Sequence, residues 1–239
     1  MPDMGAELQG RCAIVATTDG GEGLAIARQL ARAGASVVLT GWEPGRGEAA
    51  AQAIRQEGRD ALFVAAHDHG EADWAMVVAQ AEAAFGRLDI AVFSADRSEE
   101  APTSELSIEA FRAVGHANLK TVFLGLKHAA GAMRRGGRGG AVVVVSSLAG
   151  RTGLAHHIHY CASKAGLELL VKAAALELGP EHIRVNTILP AFSSPLEAGC
   201  ADGDGAPDEI AKAVLFLASD RSIFMTGAEV ALGGSVVRS

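Results

Sequence analysis

Tyr160 and Lys164, in the stretch YCASK, stand four residues apart at the head of an alanine- and leucine-rich segment that reads as a helix. Residues four apart are neighbours on one helix face. A free phenol has a pKa of about 10, too high for ready proton exchange near neutrality. An ammonium beside it stabilises the phenolate and brings the proton within reach of acid–base chemistry. Tyr160 is the one tyrosine in the chain. Thirteen residues earlier, Ser147 closes the run AVVVVSS, and a hydroxyl at a strand end would face the same crevice. Twenty-nine residues earlier again, Asn118 falls inside a long helical pattern, where an amide is an indifferent helix former and invites a special reason.

The elements that must position these groups alternate along the chain. Runs rich in β-branched residues predict strands at Cys12–Ala16, Ser36–Thr40, Ala61–Ala65, Leu88–Phe93, Ala141–Ser146, Ile183–Ile188 and Ala228–Leu232. Helical patterns lie between them, at Gly23–Ala33, Arg46–Glu57, Glu71–Phe85, Ile108–Met133, Tyr160–Leu178 and Pro207–Leu217. The strands are continuously apolar, as burial on both faces requires. Strands alternating with helices imply right-handed crossovers and a parallel sheet. The expected fold is therefore α/β: one doubly wound, Rossmann-like domain spanning residues 1–239, with seven parallel strands and helices on both faces. Ligands are expected at the carboxyl ends of the strands.

The stretch ATTDGGEGLAIA, Ala16–Ala27, sits between the first strand and the first helix. Glycine-rich turns in that place cradle the phosphates of a dinucleotide. Gly21 and Gly23 suit such a cradle, but the carboxylate of Glu22 lies between them. About 5 Å from a phosphate, at an effective dielectric near 20, it would cost on the order of 3 kcal/mol. Turned to solvent at a helix N-terminus, it would cost nothing. The sequence leaves both orientations open.

Across essentially its whole length the chain resembles the short-chain dehydrogenase/reductase family, whose Asn, Ser, Tyr and Lys tetrad falls on Asn118, Ser147, Tyr160 and Lys164. The resemblance implies that Tyr160 is the acid or base at a carbonyl or alcohol oxygen and that Ser147 orients that oxygen. It further implies that Lys164 tunes the phenol and holds the nicotinamide ribose, while Asn118 fixes a relay water. By the same resemblance the dinucleotide would meet Thr17, Gly21 and Gly23, then Gly41 and Trp42, Asp68, Ser94 and Ala95, and Pro190 and Ala191, besides Tyr160 and Lys164. Substrate would meet Ser147, Tyr160, His156 and His157; no metal site is expected, although His159 adds a third histidine to that run.

Several positions depart from the family pattern. Ala16-Thr17 replaces Thr-Gly, His67-Asp68 stands where an acid usually follows the third strand, Phe93-Ser94-Ala95-Asp96 replaces Asn-Asn-Ala-Gly, and Pro190-Ala191 replaces Pro-Gly. The segment near residues 193–206 is short for a substrate lid. At the end of the second strand, Gly41 and Trp42 supply no acid for a ribose 2′-hydroxyl, and Arg46 is near, so NADP(H) is favoured over NAD(H). Trp42 either stacks on adenine or covers the sheet edge.

With 21 basic and 28 acidic residues, a net charge of -7 and no basic tail, nucleic acid is not the expected partner. RRGGRGG, Arg134–Gly140, reads as a loop between a helix and a strand. Three scattered cysteines suit a reducing compartment, and the opening MPDMGAELQG has neither the basic nor the apolar region of a signal peptide. The expectation is a cytoplasmic protein, away from membranes, acting on a small molecule as a homo-oligomer, tetramer or dimer. The leading function is NAD(P)(H)-dependent carbonyl–alcohol interconversion. The alternatives are an enzyme on the same fold that uses no cofactor, as halohydrin dehalogenases do, and a non-catalytic partner subunit.

Overall fold

A computed structural model of the protein describes residues 7–17, 21–66, 70–190 and 206–233. Strands β1 (Cys12–Thr17), β2 (Ser36–Gly41), β3 (Ala61–Ala65), β4 (Ile90–Ser94), β5 (Gly140–Val145), β6 (Ile183–Pro190) and β7 (Glu229–Leu232) form one sheet. Every pairing is parallel, in the order β3-β2-β1-β4-β5-β6-β7. Alternate strand residues feed opposite cores. Cys12, Ile14, Val142 and Val144 enter one, and Ala13, Val15, Val143 and Val145 enter the other. Continuous apolar runs follow from that double burial.

Helices α1 (Gly21–Arg32), α2 (Pro44–Gln56) and α8 (Ala206–Ala218) contribute to the second core. Helices α3 (Glu71–Phe85), α5 (Thr121–Gly136) and α7 (Ile158–Leu178) contribute to the first. The single helix expected over Ile108–Met133 is three pieces: α4 (Ile108–Gly115), a π-helical turn His116–Lys120, and α5. A π turn adds one residue to the ring of each hydrogen bond, a local change that periodicity cannot reveal. A short α6 (Ala149–Thr152) follows β5. Among the described residues no helix is long and apolar enough to cross a membrane.

Phe93 on β4 packs edge-on against Trp74 of α3, with ring centroids 5.5 Å apart. The pair fills the space over Gly125 of α5, where a Cβ would lie 2.3 Å from the Phe93 ring and 2.8 Å from that of Trp74. Phe93 is thus a core residue. Cys12 is buried beside Asp89, and burial first, with the Asp89 charge second and Arg87 opposing, pushes its thiol up to about 12. It is an inert core thiol.

The strand order reverses direction at β1 and β4, whose last residues, Thr17 and Ser94, pair in register. A doubly wound sheet opens its ligand crevice at such a point.

Candidate active site

Helix α7 presents Tyr160 and Lys164 one turn apart, both almost wholly buried. The Tyr160 phenol donates a hydrogen bond of 2.7 Å to Asp96 Oδ1. The same oxygen pairs with Lys164 Nζ at 3.0 Å, and that ammonium also donates to the Ala95 carbonyl at 2.9 Å. Lys164 Nζ lies 5.2 Å from the centre of the Tyr160 ring. The loop after β4 thus meets α7 through Ala95 and Asp96.

Asn118 holds that loop in place. From inside the π turn its Oδ1 accepts from the Arg97 N–H at 2.8 Å, and its Nδ2 donates to the Arg97 carbonyl at 2.9 Å and to Ser163 Oγ at 3.0 Å. Ser163 Oγ donates in turn to the Tyr160 carbonyl at 2.7 Å. Both amide donors are thus taken by protein groups. Ser147, buried just after β5, accepts the Ala149 N–H at 3.2 Å at the head of α6. Its neighbour Ser146 donates to the Lys164 carbonyl at 3.4 Å, tying β5 to α7.

Glu22 turns inward. Its Oε1 accepts a 2.5 Å hydrogen bond from Ser94 Oγ, across the crevice between α1 and β4. Burial pushes its carboxyl above the usual range; the Ser94 bond opposes this, the Asp96 charge adds to it, and Lys164 opposes it. The solvent-facing orientation left open by the sequence is not adopted.

The remaining expected contacts surround this core. Among the described residues a Cβ on Gly21 would meet nothing within 4 Å, and Gly23 is buried behind it. Gly41 ends β2 in a buried position, with Trp42 half-exposed beside it. Arg46 pairs with Glu43 at 3.5 Å. Ser94 and Ala95 are buried, and the Pro190 carbonyl accepts the Leu148 N–H at 3.3 Å. Thr17 is described only as the last residue of β1. Asp68, Ala191 and all of the lid near 193–206 except Ala206 lie outside the described residues.

The histidine run, expected on a loop, straddles the start of α7. His156 is exposed with φ 64°, its carbonyl held by the Ala101 N–H at 2.9 Å. His157 is buried with Nδ1 2.8 Å from the Ala155 carbonyl. His159 lies on the helix itself, and neither ring nitrogen has a hydrogen-bond partner among the described residues. Burial lowers its pKa, with Glu99 opposing and His157 adding. Among the described residues no group of three His, Cys, Asp or Glu could hold a metal ion.

A dinucleotide fits this arrangement in outline. Among the described residues the turn at Gly21 is exposed, as a phosphate cradle requires, and the Lys164 ammonium is of the kind that binds ribose hydroxyls. Glu22 and Asp96 add two carboxylates to that space. Sequence reasoning missed Asp96 as a site residue. Its position one residue beyond Ala95, where a glycine is usual, was the available signal.

A family model for short chain dehydrogenases matches residues 11–197. Trans-4-hydroxycyclohexanecarboxylate dehydrogenase of Sinomonas cyclohexanicum is 35% identical, covering 94% of this chain and 92% of that protein. The cis-4-hydroxycyclohexanecarboxylate dehydrogenase of the same organism is 37% identical over 97% of this chain and 98% of its own. A solved short-chain type dehydrogenase/reductase from Mycobacterium marinum superposes with a TM-score of 0.90 at 28% identity, covering 99% of this chain and 98% of that one. A match over most of the chain, full-length relatives that are dehydrogenases and the same seven-stranded fold agree: the chain belongs to the short-chain dehydrogenase family and is an oxidoreductase.

Proposed function

We propose that the protein interconverts a secondary alcohol on a six-membered carbon ring with the matching ketone, using NADP(H) in preference to NAD(H). The observation that carries this reading is the buried Tyr160–Lys164 pair at the carboxyl end of the sheet, beside the point where strand order reverses. The ring alcohol is supported by relatives named for cyclohexane carboxylates and, at 32% identity, for a dichlorocyclohexadiene diol.

A dinucleotide held at this site would supply or accept the hydride. The chain handles the proton and the geometry. In alcohol oxidation the Tyr160 phenolate, stabilised by the Lys164 ammonium, takes the hydroxyl proton at Oη and becomes the neutral phenol. Ser147 directs the substrate oxygen, and Asn118 keeps the loop carrying Ala95 and Asp96 against α7. The missing acid at Gly41 supports NADP(H). Arg46, exposed and paired with Glu43 at 3.5 Å, is weakly held and free to meet a 2′-phosphate.

Lys164, kept beside Tyr160, and the dehydrogenase relatives favour this over an enzyme that uses no cofactor. The test is to titrate NADPH and NADH separately by fluorescence and then follow absorbance with cyclic alcohols. Saturable binding and turnover with a cyclic alcohol are expected. Binding of neither nucleotide by folded protein would defeat the reading.

A further inference from the structure

Asp96 stands where the family carries a glycine, and its Oδ1 accepts from both members of the acid–base pair. We infer that Asp96 is a positioning residue that locks Tyr160 and Lys164 in a proton-retaining arrangement, and that substrate oxygen and ribose hydroxyls must displace its carboxylate before the pair can act. The inference rests on the proposed dehydrogenase reading and adds a residue to it.

The physics follows from the two distances. A phenol donating 2.7 Å to a carboxylate has its neutral form stabilised, because the phenolate has no proton to donate and would face a like charge. Lys164, 3.0 Å from the same oxygen, spends its charge on Asp96 rather than on the phenol. The lysine effect on which the chemistry depends is therefore cancelled while Asp96 stays in place. Among the described residues, the charged and titratable groups facing the Asp96 carboxylate are Tyr160 and Lys164 of α7 and, across the crevice, Glu22 of α1. Glu22 is coupled to the same pair: the Asp96 charge raises its carboxyl and Lys164 lowers it. The Asp96 side chain is 29% exposed, against 1% for Lys164, so Asp96 is the member of the pair nearer solvent.

The single tyrosine makes the test direct. The tyrosinate absorbance band of nucleotide-free protein reports Tyr160 alone as pH is raised. Asp96→Asn keeps the shape and an acceptor but removes the charge, and Asp96→Gly removes the side chain. Both variants are expected to ionise Tyr160 about one to three pH units below the wild type. NADPH is expected to bind both variants more tightly, because Lys164 is released to the ribose. An unchanged or higher ionisation pH in either folded variant overturns the inference. Failure of both variants to fold, read by circular dichroism, also overturns it, since Asp96 would then be a structural residue. Binding of no nucleotide by any of the three proteins defeats the dehydrogenase reading and leaves the tyrosinate comparison intact. Tight binding by all three with no tyrosinate shift defeats the inference alone.

Discussion

At the scale of single residues, two carboxylates shape what this site can do. Glu22 lies at the start of α1, where a phosphate would otherwise be welcomed by free N–H groups and the helix dipole. Burial raises its carboxyl, so the native state holds that proton more tightly than the unfolded chain. The resulting stabilisation is complete below the unfolded value and is lost as pH rises through the folded one. Glu22→Gln keeps an acceptor for Ser94 and removes the charge. Its advantage in urea midpoint over the wild type should be small near about pH 4 and larger near about pH 8. The same variant should bind NADPH more tightly, by up to about a hundredfold if the full 3 kcal/mol repulsion applies. Equal affinity would show that Glu22 swings clear when the nucleotide enters. Tyr160→Phe should retain its fold and lose turnover by roughly 10²–10⁴-fold, read as kcat/KM beside a circular dichroism spectrum.

At the scale of elements, α7 and the loop after β4 make the site, and Asn118 in the π turn joins them through Arg97 and Ser163. The strands and most helices were legible in the sequence because hydrophobic period is set by burial, which acts on every residue of an element. The π turn was not legible, since it depends on one amide meeting a distant backbone segment. The same distinction applies to Phe93. It departs from the family pattern at the nucleotide crevice, yet it packs on Trp74 over Gly125. Gly125→Ala should destabilise the protein by about 1–3 kcal/mol in urea unfolding, because the added methyl meets rigid rings. Adding Phe93→Leu should recover part of that loss; no loss in Gly125→Ala would mean that the rings shift freely.

At the scale of the whole molecule, α7 shows Leu169 and Leu176 at 69% and 82% exposure, two turns apart on one face. Phe123 of α5 and Phe111 and Ile108 of α4 are also exposed. Exposed large apolar side chains on α4, α5 and α7 are the kind of surface that copies of a chain bury together. Light scattering should therefore give a dimer or tetramer of the 24.5 kDa chain. Leu169→Glu with Leu176→Glu should shift it toward the monomer without unfolding it. A wild-type monomer at micromolar concentration would contradict the oligomer.

The sequence by itself determined the class of fold and the four polar positions of the site, because both are written in local pattern and spacing. Apolar runs dictate buried parallel strands, and a four-residue interval dictates one helix face. Tertiary structure alone decided what those groups touch. Whether Glu22 faces water or Ser94, and whether Tyr160 meets a free crevice or the Asp96 carboxylate, depends on contacts 72 and 64 residues apart in the chain. Such contacts arise only when β1 and β4 lie side by side and α7 crosses their ends, and no periodicity within either segment encodes them.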